Sequence, residues 1–117
     1  MHTLSAEEKI RVGARAALEK KAEDLVVLDL KGLSGVADFF LVAGGRSPTQ
    51  IQTIAEAITL ALKARGVRLL HLEGVPESGW LLLDYGDAVM HVFLEETRSF
   101  YALERLWGDA PLLSVEG

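Results

Sequence analysis

The chain has 117 residues, 50% hydrophobic and 25% charged, with a formal net charge of −5 and no cysteine. That length leaves room for a single domain, residues 1–117, and the missing cysteines exclude disulfides, zinc–thiolate centres and a thiol nucleophile. An acidic chain without a long Lys/Arg run is poorly suited to neutralising phosphates, so a basic protein is the expected partner rather than DNA or RNA. No apolar run approaches the ~20 residues of a membrane-crossing helix. The N-terminal MHTLSAEEKIRVGARAALEKK lacks the hydrophobic region of a signal peptide and contains acids unusual in a transit peptide, so a cytoplasmic protein is expected.

In chain order, Ser5 and Glu8 have the spacing of a capping box. Ile10, Ala14, Ala17 and Leu18 then form a narrow apolar stripe on a first helix. Leu25-Val26-Val27-Leu28 reads as a buried strand, broken by Lys31 to Gly35, and Phe39 to Ala43 as a second strand ended by Gly44-Gly45. Ser47 as N-cap, Pro48 in the first turn and Gln50 closing a second capping box open another helix. Ile51, Ile54, Ala55, Ile58, Ala61 and Leu62 mark its buried face, and Gly66 suits a left-handed stop. Val67 to Leu72 is a third strand, Gly74 to Gly79 a loop, Trp80 to Leu94 a hairpin, and Arg98 to Leu106 a last helix. The order α-β-β-α-β-β-β-α predicts an α/β domain: a small mixed β-sheet with flanking helices.

LLLDYGDAVMHVF brings Asp84, Asp87 and His91 close together in sequence, as metal ligands or an acid/base pair would be. Strand geometry argues against this. With Tyr85-Gly86 as the loop, Asp84 faces Asp87, Leu82 faces Val89 and Trp80 faces His91. His91 then lies four residues from Asp87, roughly 13 Å at ~3.3 Å per residue, too far to share a cation bound at ~2 Å. Alternation leaves Leu81, Leu83, Ala88, Met90, Val92 and Leu94 on a core face. Trp80, Leu82, Asp84, Asp87, Val89, His91 and Phe93 share the other, a mixed face suited either to a partner or to cover by a helix of the same chain.

Gly44-Gly45-Arg46-Ser47 enters a helix N-terminus but lacks the P-loop and dinucleotide patterns. A Gly-Gly before a helix is similar to nucleotidyltransferases, whose next strand carries Asp-x-Asp or Asp-x-Glu; here that strand has only His71-x-Glu73. No nucleophile elbow and no HExxH helix is present, so neither a metal nor another cofactor is expected.

LVVLDLKGLSGVADFFLVAGG and GWLLLDYGDAVMHVFLEETRSFYALERLWGDAP resemble the ribosomal silencing factor (RsfS, or Iojap) family. The most specific part is W-x-x-x-D-Y-G-D-x-V-x-H-x-F followed by F-Y-x-L-E-x-L-W, and the likeness runs from about Ser5 to Pro111. The resemblance implies a nucleotidyltransferase-like topology without catalytic carboxylates, and no enzymatic activity. It implies a homodimer that binds the large ribosomal subunit through ribosomal protein L-fourteen, blocks joining of the small subunit and represses translation. Trp80, Tyr85, Asp87, His91, Tyr101, Arg105 and Trp107 are the residues expected to face the partner. The alternatives are a magnesium-dependent nucleotidyl-transfer enzyme using Asp84, Asp87 or Glu73, or a dimeric adaptor for another basic protein.

Overall fold

In a computed structural model, which describes residues 4–32 and 37–95, two helices pack on one face of a five-stranded mixed sheet. The expected final helix, Arg98 to Leu106, lies outside the described residues.

Helix α1 spans Ala6–Glu19 and opens with the expected capping box. Glu8 N–H donates to Ser5 Oγ at 3.2 Å, and Ser5 N–H to Glu8 Oε1 at 2.8 Å. Strand β1 is Glu23–Asp29 and β2 is Phe39–Gly45, each extending the apolar run that marked it. Helix α2, Pro48–Ala64, begins where Ser47 Oγ accepts from Gln50 N–H at 3.1 Å. It stops at Gly66, whose φ of 81° is the left-handed conformation that glycine adopts without strain. The second capping box is not closed as expected. Gln50 Oε1 accepts from Arg46 N–H at 2.7 Å instead, while its Nε2 donates to Lys21 O at 3.2 Å. One side chain thus ties the start of α2 to the end of α1.

Strand β3 is His71–Val75, not Val67 to Leu72. The reason is its partner: β4, Trp80–Asp84, ends opposite His71, so residues 67–70 have no strand to pair with. Leu70 N–H makes one further bond, to Asp84 O at 3.0 Å. The turn Pro76–Ser78 then carries the chain into β4, inside the expected loop. Strand β5 is Ala88–Leu94.

The order β1-β2-β5-β4-β3 places β5 in the middle, parallel to β2 and antiparallel to β4. The main core lies between the helices and one sheet face, where Ile10, Ala14, Ile54, Ile58 and Leu62 meet Leu41, Leu83 and Met90. Gly13 lets α1 come close, since a Cβ there would stand 2.6 Å from Met90 Sδ. A second cluster, Leu28, Leu30, Ala37, Phe40 and Val89, occupies the opposite face.

Ser47→Ala removes the side-chain acceptor of Gln50 N–H and is expected to cost about 1 kcal/mol, read as a lower urea midpoint with an unchanged m-value.

Candidate functional site

The hairpin is built by its aspartate. Asp84 Oδ1 accepts from Gly86 N–H at 2.7 Å, Gly86 takes φ 87°, and Tyr85 N–H donates to Ala88 O at 2.9 Å. The loop is therefore Gly86-Asp87, not Tyr85-Gly86. Trp80 pairs with Phe93, Leu82 with His91 and Asp84 with Val89. Every expected pairing shifts by two residues on β5. Side chains alternate with period two, so the faces survive the shift. Asp84 and Asp87 do not oppose one another.

Tyr85 is the residue whose setting changes most. It takes the last core position of the hairpin, 2% exposed on the side facing the helices, and burial pushes its phenol pKa up. Asp87 is half-exposed and engaged: Lys9 Nζ donates to Asp87 Oδ1 at 2.9 Å and to Tyr85 O at 3.4 Å, fastening the turn to α1. Asp87 O accepts from Asp38 N–H at 2.8 Å and Phe39 N–H at 3.2 Å, joining the same turn to the start of β2.

Trp80 and His91 come together as expected, diagonally rather than face to face. Trp80 Nε1 donates to His91 Nδ1 at 3.2 Å. An indole N–H only donates, so His91 Nδ1 is the acceptor and the ring proton of the neutral imidazole sits on Nε2. That Nε2 is buried without a hydrogen-bond partner. His91, Trp80 and Phe93 form a triangle of near-parallel rings, with His91 centroids 6.2 Å from Trp80 and 6.0 Å from Phe93 and Trp80 6.1 Å from Phe93, and Phe40 meets His91 edge-on at 4.9 Å. The imidazole is 4% exposed, and burial lowers its pKa from 6.5 to about 4. At neutral pH it is an uncharged member of an aromatic cluster, not a proton shuttle.

Phe40 and Phe93 complete this cluster, and neither was among the expected site residues. Phe93 shared the mixed face by alternation, but Phe40 arrives only through the β2–β5 pairing, which no local pattern announces. Tyr101, Arg105 and Trp107 lie outside the described residues.

The glycine turn before α2 is closed upon itself. Arg46 holds Glu23 with three contacts, Nε to Oε2 at 2.9 Å and to Oε1 at 3.1 Å and the terminal nitrogen to Oε1 at 2.8 Å, and the Arg46 hydrogen bond lowers the Glu23 pKa. A Cβ on Gly45 would stand 2.8 Å from Ile51 Cγ2, so tight strand-to-helix packing accounts for that glycine. Among the described residues, no group of three or more His, Asp or Glu side chains is placed to hold a metal.

The His91 pKa has a consequence for stability. The folded value of about 4 lies below the unfolded value near 6.5, so the unfolded chain takes up a proton first as pH falls. The contribution is complete above the unfolded pKa and is lost on acidification toward the folded one. Unfolding free energy should drop by about 2 kcal/mol between pH 7 and 5 from this residue. Denaturant titrations should show that dependence flattened in His91→Phe by the same amount.

A family model described as "Ribosomal silencing factor during starvation" matches residues 3–117. The ribosomal silencing factor of Halalkalibacterium halodurans is 42% identical over 97% of both chains, and that of Bacillus subtilis 44% over 92% of this chain and 91% of its own. The chloroplastic Iojap protein of Zea mays is 36% identical over 83% of this chain and 42% of its own length. A crystal structure of a Chromobacterium violaceum protein superposes with a TM-score of 0.86 at 32% identity, covering 90% of this chain and 88% of that one. These likenesses span both the helices and the aromatic hairpin, and the chain belongs to the ribosomal silencing factor family.

Proposed function

We propose that this chain is a cytoplasmic translational repressor that binds the large ribosomal subunit through ribosomal protein L-fourteen, and that it blocks small-subunit joining by occupying the space the incoming subunit needs. The observation that carries this reading is the Trp80–His91–Phe93 stack at the centre of the sheet, a rigid aromatic group whose outer member, Trp80, is half-buried. Large rings add contact area at low entropic cost, which is why they concentrate binding energy at interfaces. Trp80 is the described residue assigned to this surface, and His91, expected to face the partner, is buried and backs the Trp80 ring instead. Tyr85 and Asp87 support it from within, one as core and one as the tie to α1. The formal charge of −5 favours encounter with a basic ribosomal protein.

No bond is made or broken in such a mechanism. The carboxylates of the magnesium-dependent alternative are engaged separately: Asp84 caps Gly86, Asp87 binds Lys9, and Glu73 Oε1 lies 2.9 Å from His71 Nε2. Their present work is structural, which favours recognition over nucleotidyl transfer. The free protein is a homodimer on this reading.

Sucrose-gradient sedimentation tests the proposal. The protein should co-migrate with isolated large subunits and reduce the fraction of joined ribosomes when small subunits are added; failure of both overturns it. Trp80→Ala should weaken large-subunit binding at least tenfold, the range of an interface hot spot. Circular dichroism at the binding temperature separates that loss from unfolding, because Trp80 also packs on His91 and Phe93.

A further inference from the structure

We propose that the groove between α2 and the β3–β4 hairpin binds a free fatty acid, with the acyl chain along its apolar floor and the carboxylate at Lys63 and Arg68. The groove arises from a mismatch between layers. Two helices side by side, each ~10 Å across, cover about four strands spaced ~4.8 Å apart, and β3 is the fifth, at the edge of the sheet. All five of its residues are exposed. Its register sets Leu72 opposite Leu83 and Gly74 opposite Leu81, so Leu72 and the bare backbone of Gly74 face the helix side of the sheet from beyond α2. The hollow left there has a volume of about 640 Å³, with Ala55, Thr59, Leu69, Leu81 and Leu83 in its lining. Leu60, Leu72 and Val75, 66%, 52% and 54% exposed, make its rim apolar as well. Pockets of ~300–1,000 Å³ with mostly apolar walls and few polar groups are the usual form of a small-molecule site.

The occupant follows from the charge at the two ends. A second hollow of about 450 Å³ continues the first toward the end of α2, sharing Thr59 and Leu69 and adding Lys63 and Arg68. Among the described residues the ion pairs of Lys and Arg with carboxylates belong to Lys9, Arg11 and Arg46. From Ala57 to Leu72 the sequence has no acid to neutralise Lys63 or Arg68. At the opposite end of the groove Glu56 stands beside Gln52, whose Nε2 donates to Glu56 Oε2 at 3.1 Å. An anionic head is thus drawn to Lys63 and Arg68 and repelled by Glu56, while leucines line the way between them. Gln52 to Lys63 spans roughly 16 Å at ~1.5 Å per residue, room for an extended chain of about twelve carbons. An amphipathic helix carries polar flanks along its whole length, and the leucine rim at Leu60 and Leu72 would leave them without partners.

The groove and Trp80 lie on opposite faces of the sheet, so this site stands or falls separately from ribosome binding. Calorimetric titration of the full-length chain with sodium dodecanoate, kept below its micelle concentration, should show a single site with a micromolar dissociation constant. Octanoate should bind more weakly, by roughly two- to fourfold for each methylene removed. Lys63→Glu combined with Arg68→Glu should weaken dodecanoate binding at least about tenfold and admit dodecyltrimethylammonium instead. Arg65→Glu, outside both linings, should stay within about threefold of wild type. All three side chains are exposed, so the circular dichroism spectra should not change. Amide NMR shifts on adding dodecanoate should cluster at Thr59, Leu69, Gly74 and Leu81. No binding, equal affinity for the two chain lengths, or shifts confined to other residues overturns the proposal. Flotation with phosphatidylglycerol vesicles in the absence of dodecanoate binding assigns the surface to a membrane and overturns it too. So do groove shifts that follow only protein concentration or added large subunits, which assign the groove to a second copy or to the ribosome.

Discussion

The parallel pairing of β2 with β5 is the contact on which the rest depends. Phe39–Gly45 runs alongside Ala88–Leu94 in seven consecutive pairs, joining strands that α2, β3 and β4 separate in sequence. The other three pairings are antiparallel, and all three link strands that follow one another directly in the strand sequence. Closing this long-range contact costs chain entropy before any burial offsets it. It is offset well: all of β2 and all of β5 but its last residue are buried. Strands packed on both faces read as continuous apolar runs, and FFLVAGG and AVMHVFL do so except at His91.

His91 shows how that constraint shapes a surface. A polar ring in a buried central strand requires a partner, and Trp80 supplies one N–H for one of its two nitrogens. Burial keeps the ring neutral, so it stacks with Trp80 and Phe93 as an aromatic rather than as a cation. Phe40 crosses over from β2 because β2 and β5 are parallel and in register, Phe40 beside Val89 and Val42 beside His91. The aromatic face is thus a product of sheet order as much as of the hairpin that bears three of its four rings.

The turn that ends the hairpin is similarly shared. Asp84 forms it, Asp87 fastens it to Lys9 on α1, and the Asp87 carbonyl receives the N–H groups of Asp38 and Phe39 where β2 begins. An acidic tip that resembles part of a catalytic site in sequence is a three-way junction in space. Its carboxylates work on backbone and lysine, which explains their spacing without a reaction.

Local signals were legible wherever a residue acts on its near neighbours. Ser5 with Glu8, Ser47 with Pro48 and Gly66 marked helix ends because capping is satisfied within four residues. Alternation along Trp80 to Leu94 assigned the two faces correctly even though the register slipped, since a shift of two positions leaves a period-two pattern unchanged. The slip itself turned on whether Tyr85 belongs to the loop or the core, and only packing against the helices draws that ring inward. The extent of β3 depended on where β4 stops, and Gln50 reached Arg46 and Lys21 because two helix ends meet in space. By itself, then, the sequence determined the helices, the apolar strands and which residues share a face, all set by interactions within one turn or one pleat. The strand order, the Phe40–His91 contact and the exposed β3 edge were decided by the tertiary structure, because each depends on which distant segment comes to lie alongside.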